Sequence, residues 1–270
     1  MQGYVITILI TNYNTIDFTK HSLQALEKLT VNKYKVLIND NGSSSREVDA
    51  LKELSSENVT VFFNQNNKTA SYAHAEALDF LIEKVETKYT VILDSDCVFL
   101  MHGWDVCMIS MMTDNIKIVG SPLPRGRSGK KPYDFPFQYA VMFDTNVYKK
   151  LEITCLPRDL SKGEDTCWEW KSAFLGNGYS SYIFKVISTR DDDSTLLSNI
   201  VCNVYYLCNH IIASHWGRGS SLGYAKYYQW IKVPFVFNWL KKLHGVYDKR
   251  RWIKRTGQLI DREYNDSIYE

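Results

Sequence analysis

The chain has 270 residues, of which 45% are hydrophobic and 23% are charged, and its formal net charge is +2. This length and composition indicate one large α/β domain, or one domain with a small appendage, whose core needs no disulfide bonds. The nearly balanced charge excludes a chain that binds nucleic acid through its overall electrostatics, so no nucleic acid is expected as a partner.

The cysteines and the N-terminal stretch indicate a reducing, cytoplasmic location. Six cysteines occur, none of them in a CxxC pair or in a Cys/His cluster with zinc-finger spacing. The opening stretch MQGYVITILITNYN lacks the basic region and the cleavage site of a signal peptide. Since no run reaches about 18 apolar residues, no transmembrane helix is predicted.

Residues 1–115 alternate short apolar runs with segments of helical periodicity. Strands are predicted at residues 4–10, 34–38, 59–63 and 89–93. Helices are predicted at residues 18–29, 48–54 and 70–85. This alternation is typical of parallel strands joined by right-handed crossovers. Strands that are apolar throughout indicate a sheet covered on both faces.

Polar residues follow each of these strands, at positions 11–14, 40–43, 64–67 and 94–96. In open α/β sheets ligands bind at the carboxyl ends of the strands, so we expect these segments to converge on one crevice. No GxGxxG follows the first strand, which argues against a dinucleotide oxidoreductase. No GxxxxGK[ST] occurs, which excludes a P-loop protein.

The pattern changes after residue 115. Strands are predicted at residues 116–120, 138–143 and 182–187, and helices at residues 145–151 and 166–175. A basic loop rich in proline and glycine spans residues 122–132. This loop is either a lid over the crevice or a solvated connection, and its composition leaves both alternatives open.

Asp94 and Asp96 lie two positions apart at the end of the fourth predicted strand. In an extended segment their side chains point the same way and repel each other unless a cation or hydrogen-bond donors lie between them. Mg²⁺ and Mn²⁺ prefer such oxygen ligands. The pair indicates either a divalent-cation site or a solvated turn, and these two residues alone do not decide between them.

Three further segments each have a structural and a functional interpretation. Glu164 and Asp165 stand at a predicted helix start, where acids cap free N–H groups or serve as acid–base groups. Asp40 either forms a turn or faces the crevice. His215 is either a hydrogen-bonded structural residue or a ligand. Their joint order with Asp96 along an α/β chain favours the functional interpretation.

Six segments, in chain order, resemble the motifs of glycosyltransferase family 2, which comprises nucleotide-sugar glycosyltransferases of the GT-A fold. They are VITILITNYN, VLINDNGSSS, NQNNKTASYAHAEAL, VILDSDCVF, GEDTCWEWKSAFLGNGY and HWGRGS, and they extend over residues 4–220. The resemblance implies an α/β, Rossmann-like, mostly parallel central sheet with helices on both faces. It implies a catalytic domain at 1–222, with a nucleotide-sugar half at 1–115 and an acceptor half at 116–222. A C-terminal basic and aromatic helical extension follows at 223–270.

The resemblance also implies roles for the matching residues. The donor nucleotide sugar would contact Thr11, Asn12, Tyr13, Asp40, Asn67, Ala70, Asp94 and Ser95. The metal, Mn²⁺ or Mg²⁺, would be held by Asp96, Asp94 and His215. The general base would be Asp165, with Glu164 as the alternative, and a single base implies inversion at the transferred sugar. The acceptor would contact Trp168, Arg125 and Arg127.

Two departures from the family pattern concern the substrates rather than the fold. Residues 68–70 replace the glycines that many members carry before this helix, and segment 122–136 is longer and more basic. A retaining transferase and a catalytically silent nucleotide- or glycan-binding module are the alternatives to an inverting enzyme. The presence of both Asp96 and Asp165 favours an enzyme.

Residues 226–255 contain nine Lys or Arg residues and one acid, with aromatic residues interleaved. Such a segment is typical of proteins that bind peripherally to an anionic membrane. The alternative is a helix that packs on the domain and extends its basic side chains into solvent. The acceptor would be a glycan or a lipid-linked glycan, as in polysaccharide biosynthesis, and a lipid-linked acceptor would agree with a peripheral location at a membrane.

Overall fold

A computed structural model describes residues 3–65, 70–125, 131–192, 194–219 and 238–268. In the first half, strands and helices alternate as β1 Ile6–Asn12, α1 Ile16–Leu29, β2 Tyr34–Asp40, α2 Ser45–Lys52, β3 Val59–Phe63, α3 Ala70–Glu83, β4 Tyr89–Leu93, β5 Cys97–Phe99 and α4 Trp104–Ser110. The second half contains β6 Ile116–Gly120, β7 Ala140–Asp144, α5 Thr145–Lys150, a 3-10 helix Leu160–Lys162, α6 Trp170–Gly176, β8 Ser180–Ile183, β9 Lys185–Ser188, β10 Asn203–Leu207, β11 His210–His215 and α7 Asn238–Ile268.

The central sheet has seven strands in the order β3-β2-β1-β4-β7-β6-β8. Strand β1 pairs in parallel with β2 and β4, and β2 pairs in parallel with β3. Only β7 runs antiparallel to its neighbours in this sheet. The predicted α/β fold with a mostly parallel sheet is therefore confirmed. The carboxyl ends of β1 to β4 share one edge, where a ligand crevice is expected.

Helices cover both faces of the sheet, because alternate residues of a strand point to opposite sides. Ile6, Ile8 and Ile10 enter one hydrophobic cluster, together with residues of α1 and α7. Leu9 enters a second cluster with residues of α3 and α6. The predicted covering of both faces is confirmed.

A second sheet, in the order β5-β11-β10-β9, extends the fold beyond the central one. Strands β10 and β11 form a hairpin whose two turn residues, Cys208 and Asn209, have positive φ values of 49° and 67°. Such turns favour Asn-Gly, and Cys-Asn is a weak signal for them. This explains why the sequence did not predict the hairpin.

Two predicted elements differ from the structure. The helix predicted at 166–175 begins at Trp170, because Cys167 adopts a positive φ of 62° that interrupts a right-handed helix. The strand predicted at 182–187 is divided between the two sheets at Phe184. This residue is buried, and its N–H donates to the carbonyl oxygen of Gly120 at 2.9 Å.

The described part of the C-terminal extension packs on the domain. Trp252 of α7 is fully buried, its ring centroid lies 5.7 Å from that of Phe18, and its Nε1 donates to Ser214 Oγ at 3.0 Å. Of the two alternatives for 226–255, the burial of Trp252 supports packing on the domain for this residue, while Tyr247 is 58% exposed. Residues 226–237 lie outside the described ranges.

No helix in the described parts of the chain is long and apolar enough to cross a bilayer.

Candidate active site

The polar residues that end β1 and β2 form one buried hydrogen-bond network. Asp40 Oδ1 accepts from Asn12 Nδ2 at 2.8 Å and from Ser43 Oγ at 2.5 Å. Asn12 Oδ1 accepts from the hydroxyls of Thr15 and Thr19, at 2.9 and 3.0 Å. Because buried polar groups are costly unless they are hydrogen-bonded, this network holds the two strand ends together. It lies at the strand ends where the crevice is predicted, and we call it the floor.

The other residues predicted to contact the donor differ in exposure. Thr11, at the end of β1, and Ser95, after β4, are buried, whereas Tyr13 is 51% exposed. Asn67 lies outside the described residues, as does the side chain of Ala70 at the start of α3. Among the described residues predicted to contact the donor, Tyr13 is thus an exposed aromatic ring.

Asp94, Asp96 and His215 form a cluster whose ligand atoms all lie within 4.8 Å of one another. His215 Nε2 is 3.1 Å from Asp96 Oδ1 and 3.5 Å from Asp94 Oδ2. Asp96 and His215 are 119 positions apart, and they meet because β11 pairs with β5 in the register His215 to Cys97. The structure thus brings the three predicted metal ligands together.

The loop after β11 holds the second oxygen of Asp96. Asp96 Oδ2 accepts from the backbone N–H of Arg218 at 2.6 Å and of Gly219 at 2.7 Å. Burial alone would raise the pKa of Asp96, but His215 and these two amides outweigh it and lower the pKa to about 2. The ionised form of Asp96 is therefore favoured. Its Oδ2 is held by the two amides, and its Oδ1 is directed at His215.

The two carboxylates favour the charged form of His215. Burial disfavours its charged form, but Asp96 and Asp94 outweigh burial and raise the pKa of His215 to about 9. The ring of Tyr139 stacks on the imidazole, with centroids 4.1 Å apart. Nδ1 of His215 has no hydrogen-bond partner among the described residues.

The donor set fits a divalent cation. Two carboxylates and one imidazole nitrogen converge on one point, where a bound cation would replace the proton on His215 Nε2, because a ligating imidazole is neutral. Oxygen and imidazole ligands suit Mn²⁺, and amides that fix a ligating carboxylate are typical of such sites.

The absence of a side chain at Gly219 leaves room for Asp96, because a Cβ at this position would lie 3.3 Å from Asp96 Cγ.

Asp165 lies on the same side of the fold as this cluster. Its carboxylate accepts from Lys131 Nζ and, through Oδ1, from the N–H of Thr166 at 2.9 Å. Burial would raise the pKa of Asp165, but hydrogen bonds from Lys131 and Ser71 outweigh it and lower the pKa. Burial, followed by the charges of Asp94, Asp165 and Asp96, raises the pKa of Tyr139, so all three acids lie close enough to this tyrosine to act on it electrostatically.

Glu164 has a different position from its neighbour. Its Oε2 accepts from the backbone N–H of Asp159 at 2.7 Å, which ties it to the preceding loop. Trp168 is half-buried, and the exposed Arg125 lies 5.4 Å over the ring of Tyr133. Arg127 lies outside the described residues. Asp165, whose charge acts on Tyr139, is therefore the acid of this pair that is linked to the cluster.

Sequence reasoning missed two contributors to the site. Tyr139 gave no signal, because an aromatic residue beside a predicted strand is an ordinary core residue. Lys131 belongs to the basic loop 122–132. Composition cannot predict that it pairs with Asp165, which is 34 positions away. The glycine spacing of HWGRGS was the available signal for the backbone donors at Arg218 and Gly219.

Comparisons with known proteins identify the family. The chain matches the model of glycosyl transferase family 2 over residues 7–190, which is more than half of its length. The chain belongs to this family.

A curated relative from Rickettsia bellii (strain RML369-C), described as an uncharacterized glycosyltransferase, is 23% identical over 213 residues. The match covers 72% of this chain and 30% of the relative, so this chain spans less than a third of that protein.

Two solved glycosyltransferases are similar to this chain. One is the mannosyltransferase PcManGT from Pyrobaculum calidifontis in complex with GDP-Man and Mn²⁺, with a TM-score of 0.52 and 15% identity over 66% of this chain and 54% of that chain. Another is glucosyl-3-phosphoglycerate synthase from Mycobacterium tuberculosis, with a TM-score of 0.46 and 11% identity over 67% of this chain and 70% of that one. The first likeness supports the GT-A fold.

Proposed function

We propose that this chain is a metal-dependent, inverting glycosyltransferase that moves a sugar from a nucleotide-diphosphate donor to a hydroxyl of a glycan or glycolipid acceptor. The observation that carries the proposal is the convergence of Asp94, Asp96 and His215 at the carboxyl end of β4, with Asp165 nearby. The GDP-Man and Mn²⁺ bound to the Pyrobaculum calidifontis enzyme of similar fold support this choice of donor and metal.

Asp94, Asp96 and His215 would hold the metal. A bound Mn²⁺ or Mg²⁺ supplies a Lewis acid that neutralises the leaving diphosphate. The chain prepares this site in advance, because the amides of Arg218 and Gly219 hold Asp96 and the ring of Tyr139 packs on His215. Such preorganisation is what electrostatic catalysis requires.

Asp165 would act as the general base. In transfer, the acceptor oxygen bonds to the anomeric carbon, the bond from that carbon to the phosphate oxygen breaks, and the acceptor proton passes to Asp165. The lowered pKa of Asp165 keeps the carboxylate free of a proton before the acceptor binds. Attack on the side opposite to the leaving group inverts the sugar centre.

The donor nucleotide would lie over the ends of β1 and β2, where Tyr13 is exposed above the buried network of Asn12 and Asp40. This places donor contacts in residues 1–115 and the base in residues 116–222. The arrangement supports the proposed division into a nucleotide-sugar half and an acceptor half.

A panel of nucleotide sugars, GDP-mannose among them, tests the proposal by thermal unfolding with Mn²⁺ and by release of the nucleoside diphosphate. We expect one donor to stabilise the chain only when Mn²⁺ is present. Asp96→Asn should abolish this stabilisation, whereas Asp49→Asn at the exposed surface of α2 should keep it.

Asp165→Asn separates binding from chemistry. It should retain donor binding and lose transfer by a factor of about 10²–10⁴, the usual contribution of a general base. The proposal fails if no donor binds, or if a chelator changes neither binding nor transfer. Donor binding without transfer by the unaltered chain would instead identify a silent binding module.

A further inference from the structure

A groove of about 690 Å³ lies between α1 and α7, and it is distinct from the floor formed by Asn12 and Asp40. Four of its lining side chains are basic, one from α1 and three from α7: Lys20, Lys249, Arg250 and Lys254. Among the described residues a single acid, Asp17, lines it. The groove is therefore a concentrated positive site on a chain whose net charge is only +2.

Most of this positive charge is uncompensated. Lys249 Nζ is 2.8 Å from Asp17 Oδ2, so this lysine has a partner. Lys20, Arg250 and Lys254 are exposed, and no carboxylate of the described residues lies within ion-pair distance of them. Like charges held on two packed helices repel one another, and a bound anion would relieve that repulsion.

The neutral residues of the groove suit the same kind of ligand. Asn14 and Gln24 add amide groups that donate to phosphate oxygens, and Val246 and Ile253 add a small apolar strip. At one end lies Gly219, whose N–H donates to Asp96 at 2.7 Å. The groove thus begins beside the metal cluster and runs away from it along the two helices.

We propose that this groove binds a phosphate ester, through Lys20 of α1 together with Arg250 and Lys254 of α7. The ester would be either the headgroup of an anionic lipid or the phosphate of a soluble compound, and the groove would hold it next to the transfer site. In this proposal the ligand contacts basic side chains, one of which comes from α1, and Trp252 stays in the core. Membrane contact through the aromatic residues of 226–255 would instead require those rings to face the lipid. It does not depend on whether the chain transfers a sugar.

The experiment compares two probes in the presence of EDTA, which removes metal-dependent phosphate binding at Asp94 and Asp96. The first probe is phosphatidylcholine vesicles with and without phosphatidylglycerol, measured by co-sedimentation with the full chain. The second is glycerol 3-phosphate, measured by calorimetry. We expect the unaltered chain to bind at least one of the two.

The triple variant K20Q/R250Q/K254Q should weaken this binding about a hundredfold, because each basic side chain near an anionic surface contributes roughly a factor of ten or less. The matched control removes three exposed lysines elsewhere, as K33Q/K150Q/K185Q, and should change binding less than about threefold. Should the first triple variant be unstable, Lys20→Glu alone, on the exposed face of α1, should weaken binding at least tenfold.

The outcomes are distinct. If only the anionic vesicles bind, and K20Q/R250Q/K254Q (the groove variant) loses this binding, the ligand is a lipid headgroup. Binding of glycerol 3-phosphate, lost in the same variant, assigns a soluble phosphate ester. Equal losses in the groove variant and its control, or no binding of either probe by the unaltered chain, would overturn the proposal.

Discussion

Asp248 of α7 and Arg218 of the loop after β11 form a buried ion pair, in which Arg218 Nη1 is 3.4 Å from Asp248 Oδ2. The backbone N–H of the same arginine donates to Asp96 Oδ2 at 2.6 Å. One residue thus joins the C-terminal helix to a predicted metal ligand. Docking of α7 and the shape of the metal cluster are therefore coupled.

Asp248→Asn tests this coupling. Removing one partner of a buried pair leaves an uncompensated charge, so we expect a loss of about 3–5 kcal/mol in the free energy of unfolding. Because Arg218 also positions Asp96, the affinity for Mn²⁺ should fall about tenfold. Urea unfolding and Mn²⁺ titration followed by electron paramagnetic resonance measure the two effects.

The control for this prediction is Asp261→Asn on the same helix. Asp261 Oδ1 is 2.6 Å from Lys28 Nζ, but both side chains are exposed, so the change should cost less than about 1 kcal/mol. Equal effects of the two variants on Mn²⁺ affinity would contradict the coupling.

Gly219→Ala should disturb the metal cluster through packing. The added Cβ would lie 3.2 Å from Thr15 Cγ2 and 3.3 Å from Asp96 Cγ, closer than side-chain atoms usually approach. We expect the displaced carboxylate to lower the affinity for Mn²⁺ about tenfold. Gly176→Ala is the matched control, since its Cβ would meet nothing within 4 Å, and its Mn²⁺ affinity should stay unchanged.

His21 makes the stability of the chain depend on pH. Burial, partly offset by Asp261, lowers the pKa of His21 to about 4, and its Nε2 lies 2.7 Å from Thr256 Oγ1. The unfolded chain has an ordinary histidine pKa of about 6.5. The neutral ring therefore contributes fully above about pH 6.5, and this contribution is lost as the pH falls towards 4.

The size of this effect is about 3 kcal/mol, because the pKa of His21 is about 6.5 in the unfolded chain and about 4 in the folded one. In His21→Gln, the free energy of unfolding should depend less on pH between about 6.5 and 4. Urea unfolding across this range measures it, with the exposed His102→Gln as control. An unchanged pH dependence in His21→Gln would refute the assignment.

Lys131→Met should change the pH dependence of transfer. Lys131 lowers the pKa of Asp165, so its removal should raise that pKa towards the ordinary value. A base works only when deprotonated, so the acid limb of the kcat/KM profile should move to higher pH. Lys171→Met, which removes a pair with Asp134 at 2.6 Å, should leave the limb in place.

The sequence by itself determined the central sheet and part of the site. Apolar runs and helical periodicity are local properties, so they predicted β1 to β4 with their helices, and the polar residues after each strand predicted a crevice at the carboxyl ends. The spacing of Asp94 and Asp96 indicated a cation site for the same reason, since both lie in one short segment.

Only the tertiary structure decided which distant residues complete the site. His215 reaches Asp96 because β11 pairs with β5, and Lys131 reaches Asp165 across a loop. Strand pairing and register depend on the burial of a whole face rather than on local pattern. The same reason applies to Trp252, whose aromatic and basic surroundings in sequence suggested a membrane surface, whereas its burial against Phe18 places it in the core.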